Sequence, residues 1–314
     1  MSKLLDSIDQ RTKLVGENRL ELLMFRLKGE QLFAINVFKV QEVVKLPVLR
    51  AVPHSHPHVK GVAYLRNQTV PVIDLSAAIG SGPLTDTANA NLIVAEYNRS
   101  VQAFLIGGVD RIINLNWEVI LPPPKGTGRG HFLTAITRVD NHLVEILDVE
   151  RVLADIIPYN TQVSDEVLDA ELAVEAKKRK LKVLMADDSP TAVNQVQATL
   201  QNLGIEVLYV QDGLQALQQL EQWLREGRNV YDEILMLITD AEMPEMDGYR
   251  LTAEVRKNPA LKDLYVVLHT SLSGSFNKAM VDKVGCDDFL SKFQPDELAK
   301  VVQKRLRQVI NPSK

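Results

Sequence analysis

The sequence has very little cysteine, no long apolar run and no excess of basic residues. Cys286 is the only cysteine, so an internal disulfide is excluded, which fits a reducing cytoplasmic compartment. No apolar run approaches the roughly 20 residues of a membrane-spanning helix, so direct membrane insertion is not expected. The opening residues mix acids with apolar residues and lack the apolar core of a secretory signal. The net charge of −4 gives no general attraction to nucleic acid.

The chain is long enough for two or three domains, and its pattern changes near the middle. From about Leu20 to Val149, four pairs of short strand-like runs are joined by the hairpin-sized turns KGEQ, RNQ, NRS and RVDN, and the third pair ends in the run VQAFLIGGV. This spacing predicts small antiparallel barrels or a sandwich. From Leu181 onward, five strand-like runs alternate with five helical patterns, which predicts a doubly wound α/β domain with a five-stranded parallel sheet. We therefore expect an N-terminal segment, an all-β domain, a linker and an α/β domain, with the ranges 1–17, 18–158, 159–180 and 181–311.

The residues between the two predicted domains are mostly polar. A short helix with the sequence ERVLADII is expected to close the all-β domain. The linker 159–180 that follows is expected to be helical or flexible, with its basic run KKRK as a solvated face.

Polar side chains stand at the predicted carboxyl ends of four strands in the α/β domain. Asp187 and Asp188 follow the first strand, and Asp240 follows the third. Thr270 ends the fourth strand, and Lys292 ends the fifth. Because the carboxyl ends of parallel strands meet at one edge of a sheet, these side chains are expected to converge.

The chemistry of such a cluster follows from its charges. Clustered carboxylates raise one another's pKa unless a cation lies among them, and Mg²⁺ prefers oxygen ligands. A carboxylate can also attack a phosphoryl group, while a metal and a lysine offset the charge on the transferred group. The simpler alternative is a helix cap at Asp188 or Ser189, which accounts for only one of the two adjacent carboxylates.

These residues, together with the stretch TDAEMPEMDG, resemble response-regulator receiver domains over about residues 181–311. The resemblance implies that Asp240 is the phosphoacceptor. It implies that Mg²⁺ is bound by the side chains of Asp188 and Asp240 and by the backbone carbonyl of Glu242. Asp187 would act on the metal through a bound water.

The same resemblance assigns roles to three further positions. Lys292 would contact the phosphoryl group, Thr270 would move toward it, and Phe289 would be the aromatic switch position. Two features depart from the family pattern. Phe293 stands where the family usually has a proline, and the stretch REGRNVYDE indicates an insertion.

The all-β half contains no comparable reactive cluster. PHSHPH, with its three alternating histidines, and the glycine-rich residues 126–130 are expected to be surface loops rather than a metal site or a phosphate cradle. The stretches FAINVFKVQEVV and VKGVAYLRNQTVPVIDL resemble CheW-like coupling domains of chemotaxis, over about residues 18–158. The resemblance implies a pair of small five-stranded β-barrels that bind the cytoplasmic tips of chemoreceptors and the histidine kinase CheA.

The coupling-domain resemblance also points to a partner-binding surface around the second hairpin. Glu42 and Arg66 match the family's paired acidic and basic binding positions, and a surface ion pair of little energetic value is the alternative. Asn67 replaces the family's usual turn glycine, and the hairpin is still expected because asparagine tolerates positive φ. Three valines are left open between interface and core: Val40, Val44 and Val72.

A coupling domain followed by a receiver resembles the CheV chemotaxis proteins. We expect a cytoplasmic scaffold at receptor arrays, rather than an enzyme, that couples chemoreceptors to CheA. Phosphoryl transfer from the kinase to Asp240 would modulate coupling or adaptation. The alternative is a phosphate sink for the kinase, with coupling as a secondary role. A DNA-binding response regulator is disfavoured because the first half has neither a helix-turn-helix pattern nor a basic stripe.

Overall fold

The computed structural model of the chain describes residues 19–97, 100–116, 119–122, 132–157, 161–270, 284–292 and 294–310. They fall into two compact units that divide after Pro158. In these ranges no helix combines the length and the apolarity that a bilayer span requires. Three features of the sequence lie outside the described residues: the N-terminal segment 1–17, the glycine-rich residues 126–130 and Phe293.

Over its described residues, the first unit is built mainly from ten strands. In chain order they are β1 (Arg19–Arg26), β2 (Leu32–Asn36), β3 (Glu42–Lys45), β4 (Val59–Leu65), β5 (Gln68–Asp74), β6 (Asn91–Tyr97), β7 (Ser100–Ile106), β8 (Gly108–Asn116), β9 (Leu133–Val139) and β10 (His142–Leu147). They form two five-stranded sheets, in the orders β8-β1-β2-β10-β9 and β3-β6-β7-β5-β4. Helix α1 (Leu75–Ala78) follows β5, and α2 (Val149–Ile156) closes the unit as the sequence predicted.

The four predicted hairpins, β1–β2, β4–β5, β6–β7 and β9–β10, are all present as antiparallel pairs. In the β4–β5 turn, Arg66 and Asn67 have φ values of 46° and 66°, the left-handed pair that a tight hairpin turn requires. Asp140 and Asn141 do the same in the β9–β10 turn. The expectation that Asn67 can replace glycine is therefore confirmed.

Strand β8 was not predicted, because the sequence VQAFLIGGV reads as one continuous apolar run. The structure breaks this run at Gly107, between the end of β7 and the start of β8, and the chain passes there from one sheet to the other. A Cβ atom at Gly107 would overlap the carbonyl oxygen of Leu27. Glycine is required because the two backbones approach so closely.

The second unit has a parallel sheet in the order β12-β11-β13-β14-β15, which confirms the predicted doubly wound domain. Its strands are β11 (Lys182–Ala186), β12 (Glu206–Val210), β13 (Met236–Thr239), β14 (Val266–Thr270) and β15 (Asp288–Ser291). Its helices over the described residues are α3 (Ala170–Lys178), α4 (Pro190–Asn202), α5 (Gly213–Arg225), α6 (Val230–Glu233), α7 (Gly248–Lys257) and α8 (Pro295–Ile310). The predicted insertion REGRNVYDE contains α6.

Part of the predicted linker belongs structurally to this second unit. Helix α3 contacts α8, and Leu172 and Ala176 of α3 are buried in the same apolar cluster as the sheet residues Val183 and Met185. The predicted helical alternative is therefore correct for Ala170–Lys178. The basic residues at its end, Lys177 to Lys180, are exposed as expected.

Candidate functional site

The first strand of the parallel sheet delivers two aspartates to its carboxyl end. Strand β11 is buried from Val183 to Ala186, and Asp187 and Asp188 follow directly. Helix α4 begins at once, and its cap is Ser189, whose Oγ accepts the backbone N–H of Ala192 at 3.4 Å. Neither aspartate is needed as the helix cap, so the capping alternative does not explain the acidic pair.

Lys292 connects two of the predicted site carboxylates. Its Nζ donates to Oδ2 of Asp240 at 2.8 Å and lies 3.1 Å from Oδ2 of Asp187. All three side chains are buried, and Lys292 is 1% exposed. The backbone N–H of Lys292 donates to the carbonyl of Thr270 at 2.9 Å, which places the ends of β14 and β15 beside each other. The structure therefore brings the predicted lysine, threonine and aspartates to one edge of the sheet.

The carboxylates of Asp187, Asp188 and Asp240 are close enough to share one cation. One oxygen from each lies within 4.8 Å of the others, and Asp188 is the only partly exposed member. Burial raises the pKa of Asp187 well above its usual value, and Asp240 and Asp188 raise it further while Lys292 opposes the shift. One ammonium among three carboxylates leaves negative charge to neutralise, and an all-oxygen donor set suits Mg²⁺. The residues present therefore fit a magnesium ion. The predicted role of the Glu242 carbonyl stays a prediction.

Replacing Asp188 with asparagine is expected to stabilise the metal-free second unit by about 1 kcal/mol, because one of the mutually repelling carboxylates becomes neutral. The same change should remove most of the stabilisation that added Mg²⁺ gives the wild type. Thermal unfolding with and without Mg²⁺ measures both effects. Exposed Asp263, replaced in the same way, is the matched control. An unchanged response to Mg²⁺ in the Asp188 variant would rule out this residue as a ligand.

The loop after Asp240 is held by two glycines that the sequence reasoning did not identify as site residues. A Cβ atom at Gly248 would overlap the carbonyl oxygen of Asp240, and one at Gly213 would lie 2.5 Å from the carbonyl oxygen of Met246. The N–H of Gly213 donates to that Met246 carbonyl at 3.0 Å. The glycines of the motifs MDG and QDG were the available signal, since a glycine after an acidic residue marks a tight approach or a helix start.

The two predicted switch positions lie on neighbouring strands. Thr270 is buried at the end of β14, and Phe289 of β15 pairs in register with Leu268. Phe289 is half-buried and packs against a cluster that contains Ala241, the residue after Asp240. A movement of the Asp240 backbone would therefore be passed to Phe289 through the packed cluster around Ala241.

On the coupling domain, the predicted acidic and basic positions form an ion pair. Nη2 of Arg66 lies 2.7 Å from Oε2 of Glu42, and the Arg66 side chain is 73% exposed. Val40 and Val44 are partly buried, each against a different apolar cluster of this unit. Val72 is fully buried in the core. Of the two alternatives left open for Val72, the core alternative is correct and the interface alternative is wrong, because a residue without exposed area cannot touch a partner directly.

The alternating histidines do not assemble a metal site. Among the residues that the structure describes, the only group of three potential metal ligands within reach of one another is Asp187, Asp188 and Asp240. The rings of His56 and His58 lie 4.9 Å apart, and Nδ1 of His56 accepts the backbone N–H of His58. This segment is a surface loop with local hydrogen bonding.

Comparisons with known proteins define the class of the chain. The CheW-like domain family matches residues 21–156, and the response regulator receiver domain family matches residues 183–303. The protein is therefore a chemotaxis coupling adaptor that carries a receiver domain. Chemotaxis protein CheV1 of Helicobacter pylori is 30% identical over 98% of this chain and 99% of its own length. The chain belongs to the CheV family.

Further relatives agree with this division. Chemotaxis protein CheV3 of Helicobacter pylori is 28% identical over 92% of this chain and 95% of its own length. A probable chemotaxis protein CheW of Rhizobium etli is 30% identical over 46% of this chain and 93% of its own length. The CheV relatives thus match nearly the whole chain. The CheW relative matches a length of chain that corresponds to one domain, as expected for a protein with a coupling domain alone.

Proposed function

We propose that Asp240 accepts a phosphoryl group from the histidine kinase CheA and that this event modulates coupling between chemoreceptors and the kinase. The observation that carries the proposal is the buried Lys292, whose ammonium lies between Asp187 and Asp240 at hydrogen-bond distance from both. A buried ion pair of this kind is costly to form. Its position at the carboxyl edge of a doubly wound sheet supports a functional rather than a stabilising role.

In the proposed reaction, a carboxylate oxygen of Asp240 attacks phosphorus, the new P–O bond forms, and the bond from phosphorus to the donor nitrogen breaks. Lys292 is positioned to leave its Asp240 oxygen and contact a phosphoryl oxygen as negative charge gathers there. Asp188 and Asp240 would hold Mg²⁺, with Asp187 acting through a bound water, and the ion would supply positive charge that offsets the negative charge on the phosphoryl oxygens. The hydroxyl of Thr270, at the end of the adjacent strand, would donate a hydrogen bond to a phosphoryl oxygen of the product.

The proposal is tested by the intact mass of the full chain after treatment with acetyl phosphate and Mg²⁺. We expect a gain of one phosphoryl group in the wild type that is lost when Mg²⁺ is chelated. Asp240→Asn should show no gain, since the amide is not a nucleophile here, while the exposed control Asp263→Asn should match the wild type. A wild-type chain that takes up no phosphoryl group would overturn the proposal.

We propose further that the coupling domain binds chemoreceptor cytoplasmic tips and CheA, which places the protein at receptor arrays in the cytoplasm. The family membership and the exposed Glu42–Arg66 pair support this surface. Coupling of receptors to kinase, measured with Asp240→Asn, separates this role from a phosphate sink. A scaffold should still couple without phosphorylation, whereas a pure sink should lose its effect on the kinase.

Charge reversal at the exposed pair tests the proposed binding surface. Arg66→Glu should weaken binding to CheA or receptor tips about tenfold or more, because rim charges at interfaces set complementarity. Folding stability should change by less than about 1 kcal/mol, as is typical of exposed ion pairs. The double swap Glu42→Arg with Arg66→Glu restores the internal ion pair, so it is expected to recover stability but not binding. Normal binding by both variants would place the partner surface elsewhere.

A further inference from the structure

Residues 161–180, named the strap here, are attached to helix α8 by a set of polar contacts. The backbone N–H and the hydroxyl of Ser164 both donate to the carboxylate of Asp296, at 2.8 and 3.1 Å. The side-chain amide of Gln303 accepts the N–H of Asp169 at 2.7 Å and donates to the carbonyl of Val167 at 2.9 Å. Gln303 is 2% exposed, so both ends of a buried amide are satisfied by the strap backbone. The α8 surface is therefore shaped to hold this segment.

The strap also makes an ion pair with α8 and packs apolar side chains against the core of the domain. Nη2 of Arg307 lies 3.0 Å from Oδ2 of Asp169, and the hydrogen bond from this guanidinium is the main reason that the pKa of Asp169 is lowered. Leu172 and Ala176 are buried, and Val163, Val167 and Leu168 pack partly buried against the same apolar cluster. The two hydrogen bonds from Ser164 to Asp296 are exposed, and each contributes little net free energy because water competes for both partners. The polar contacts therefore fix the geometry of the attachment, and the exposed ones at its start contribute least to its stability.

One attachment point, Asp296, lies near the proposed phosphorylation site. Asp296 is in the first turn of α8, which begins shortly after Lys292. Beneath the start of the strap is a small cavity lined by Thr161, Gln294 and His269, and His269 is the residue before Thr270 in β14. Successive side chains of a strand point to opposite faces. A shift of β14 would therefore displace the Thr270 and His269 side chains on opposite faces of the sheet.

We infer that α8 is an intramolecular docking surface for the strap and that phosphorylation of Asp240 loosens this attachment. This inference rests on the proposed function, and release of the strap is the structural change that phosphorylation would produce. Drawing Lys292 and Thr270 toward a phosphoryl group moves the start of α8 and the end of β14, which carry Asp296 and His269. The strap joins directly to the coupling domain along the chain, so its release changes the tether between the two domains.

Hydrogen–deuterium exchange of the full chain, with and without acetyl phosphate and Mg²⁺, tests the inference. Backbone amides within 161–180 should exchange at least about fivefold faster in the phosphorylated protein, and Asp240→Asn should show no change. Intact mass is recorded on the same samples. Phosphoryl uptake with unchanged exchange in the strap overturns this inference alone. Absence of uptake overturns the proposed function, and the inference falls with it.

Thermodynamic reciprocity provides a second test that needs no covalent chemistry. If occupation of the site favours the released strap by some factor, then the protein with its strap released binds at the site more tightly than the docked protein by the same factor. Variants that weaken docking raise the released fraction and so raise the measured affinity by up to that factor. Ser164→Ala and Asp296→Asn should each increase the affinity for beryllium fluoride with Mg²⁺, by about twofold to tenfold. Exposed Asp165→Asn, beside Ser164, is the matched control and should bind as the wild type does. Unchanged or weaker binding by both strap variants would contradict the coupling.

Discussion

Replacing Lys292 with methionine is expected to destabilise the receiver by about 3–5 kcal/mol in metal-free buffer, because breaking a buried ion pair leaves charge without its partner. Lys292 is 1% exposed, and its ammonium contacts both Asp187 and Asp240. Methionine keeps most of the side-chain volume, so the loss reports the charge rather than a cavity. Added Mg²⁺ should recover part of the lost stability, since a divalent cation among the carboxylates replaces the missing positive charge.

Chemical denaturation with and without Mg²⁺ measures this effect. Lys304→Met is the matched control, because Lys304 is exposed and its Nζ is 3.6 Å from Asp288. The control should lose less than about 1 kcal/mol and should show no additional response to Mg²⁺. A loss at Lys292 as small as that of the control would mean that the buried carboxylates are largely protonated in the folded protein.

Replacing Gly248 with alanine is expected to cost about 1–3 kcal/mol or more, since the added Cβ meets the backbone of Asp240 and overpacked sites relax poorly. Gly248 is the first residue of α7, where alanine would otherwise be favoured by helix propensity. The displaced backbone is that of Asp240, the proposed phosphoacceptor. We therefore expect the phosphoryl uptake of Gly248→Ala to fall at least about tenfold, because a small misplacement of a reacting group is costly.

Denaturation and intact mass with acetyl phosphate and Mg²⁺ follow the two effects of Gly248→Ala separately. Gly108 provides the control, because a Cβ there would meet only the carbonyl oxygen of Asn89, at an ordinary 3.8 Å. Gly108→Ala should leave phosphoryl uptake unchanged. If Gly248→Ala folds with wild-type stability and is phosphorylated normally, the loop is more compliant than its packing indicates.

The sequence predicted the parallel sheet and the meeting of Asp187, Asp240 and Lys292, because strand ends in a doubly wound sheet are placed by topology alone. It did not predict which side chain caps α4 or that Lys292 lies between two carboxylates. Those outcomes depend on side-chain distances of a few ångströms. Hydrophobic periodicity predicts a helix or strand and the face that it buries, but not which atoms each polar side chain contacts.

The larger omissions have a common physical cause. Strand β8 was hidden because only the close approach of Gly107 to Leu27 separates it from β7, and this contact spans 80 residues of chain. The strap was predicted as a linker because its polar composition satisfies the criteria for solvated chain. Its partner Asp296 lies 132 residues from Ser164. Contacts at such separation leave no signal in the local pattern of one sequence.

The contacts between the strap and α8 also have a consequence for protein engineering. A receiver cut out at Leu181 would expose the amide of Gln303 and lose the cover of Leu172 and Ala176, so its solubility and lifetime would differ from those of the intact domain. In chimeras that exchange receivers between relatives, residues 161–180 should be exchanged together with the receiver, because they pack against it. A crossover placed before Thr161 therefore keeps the complete module together.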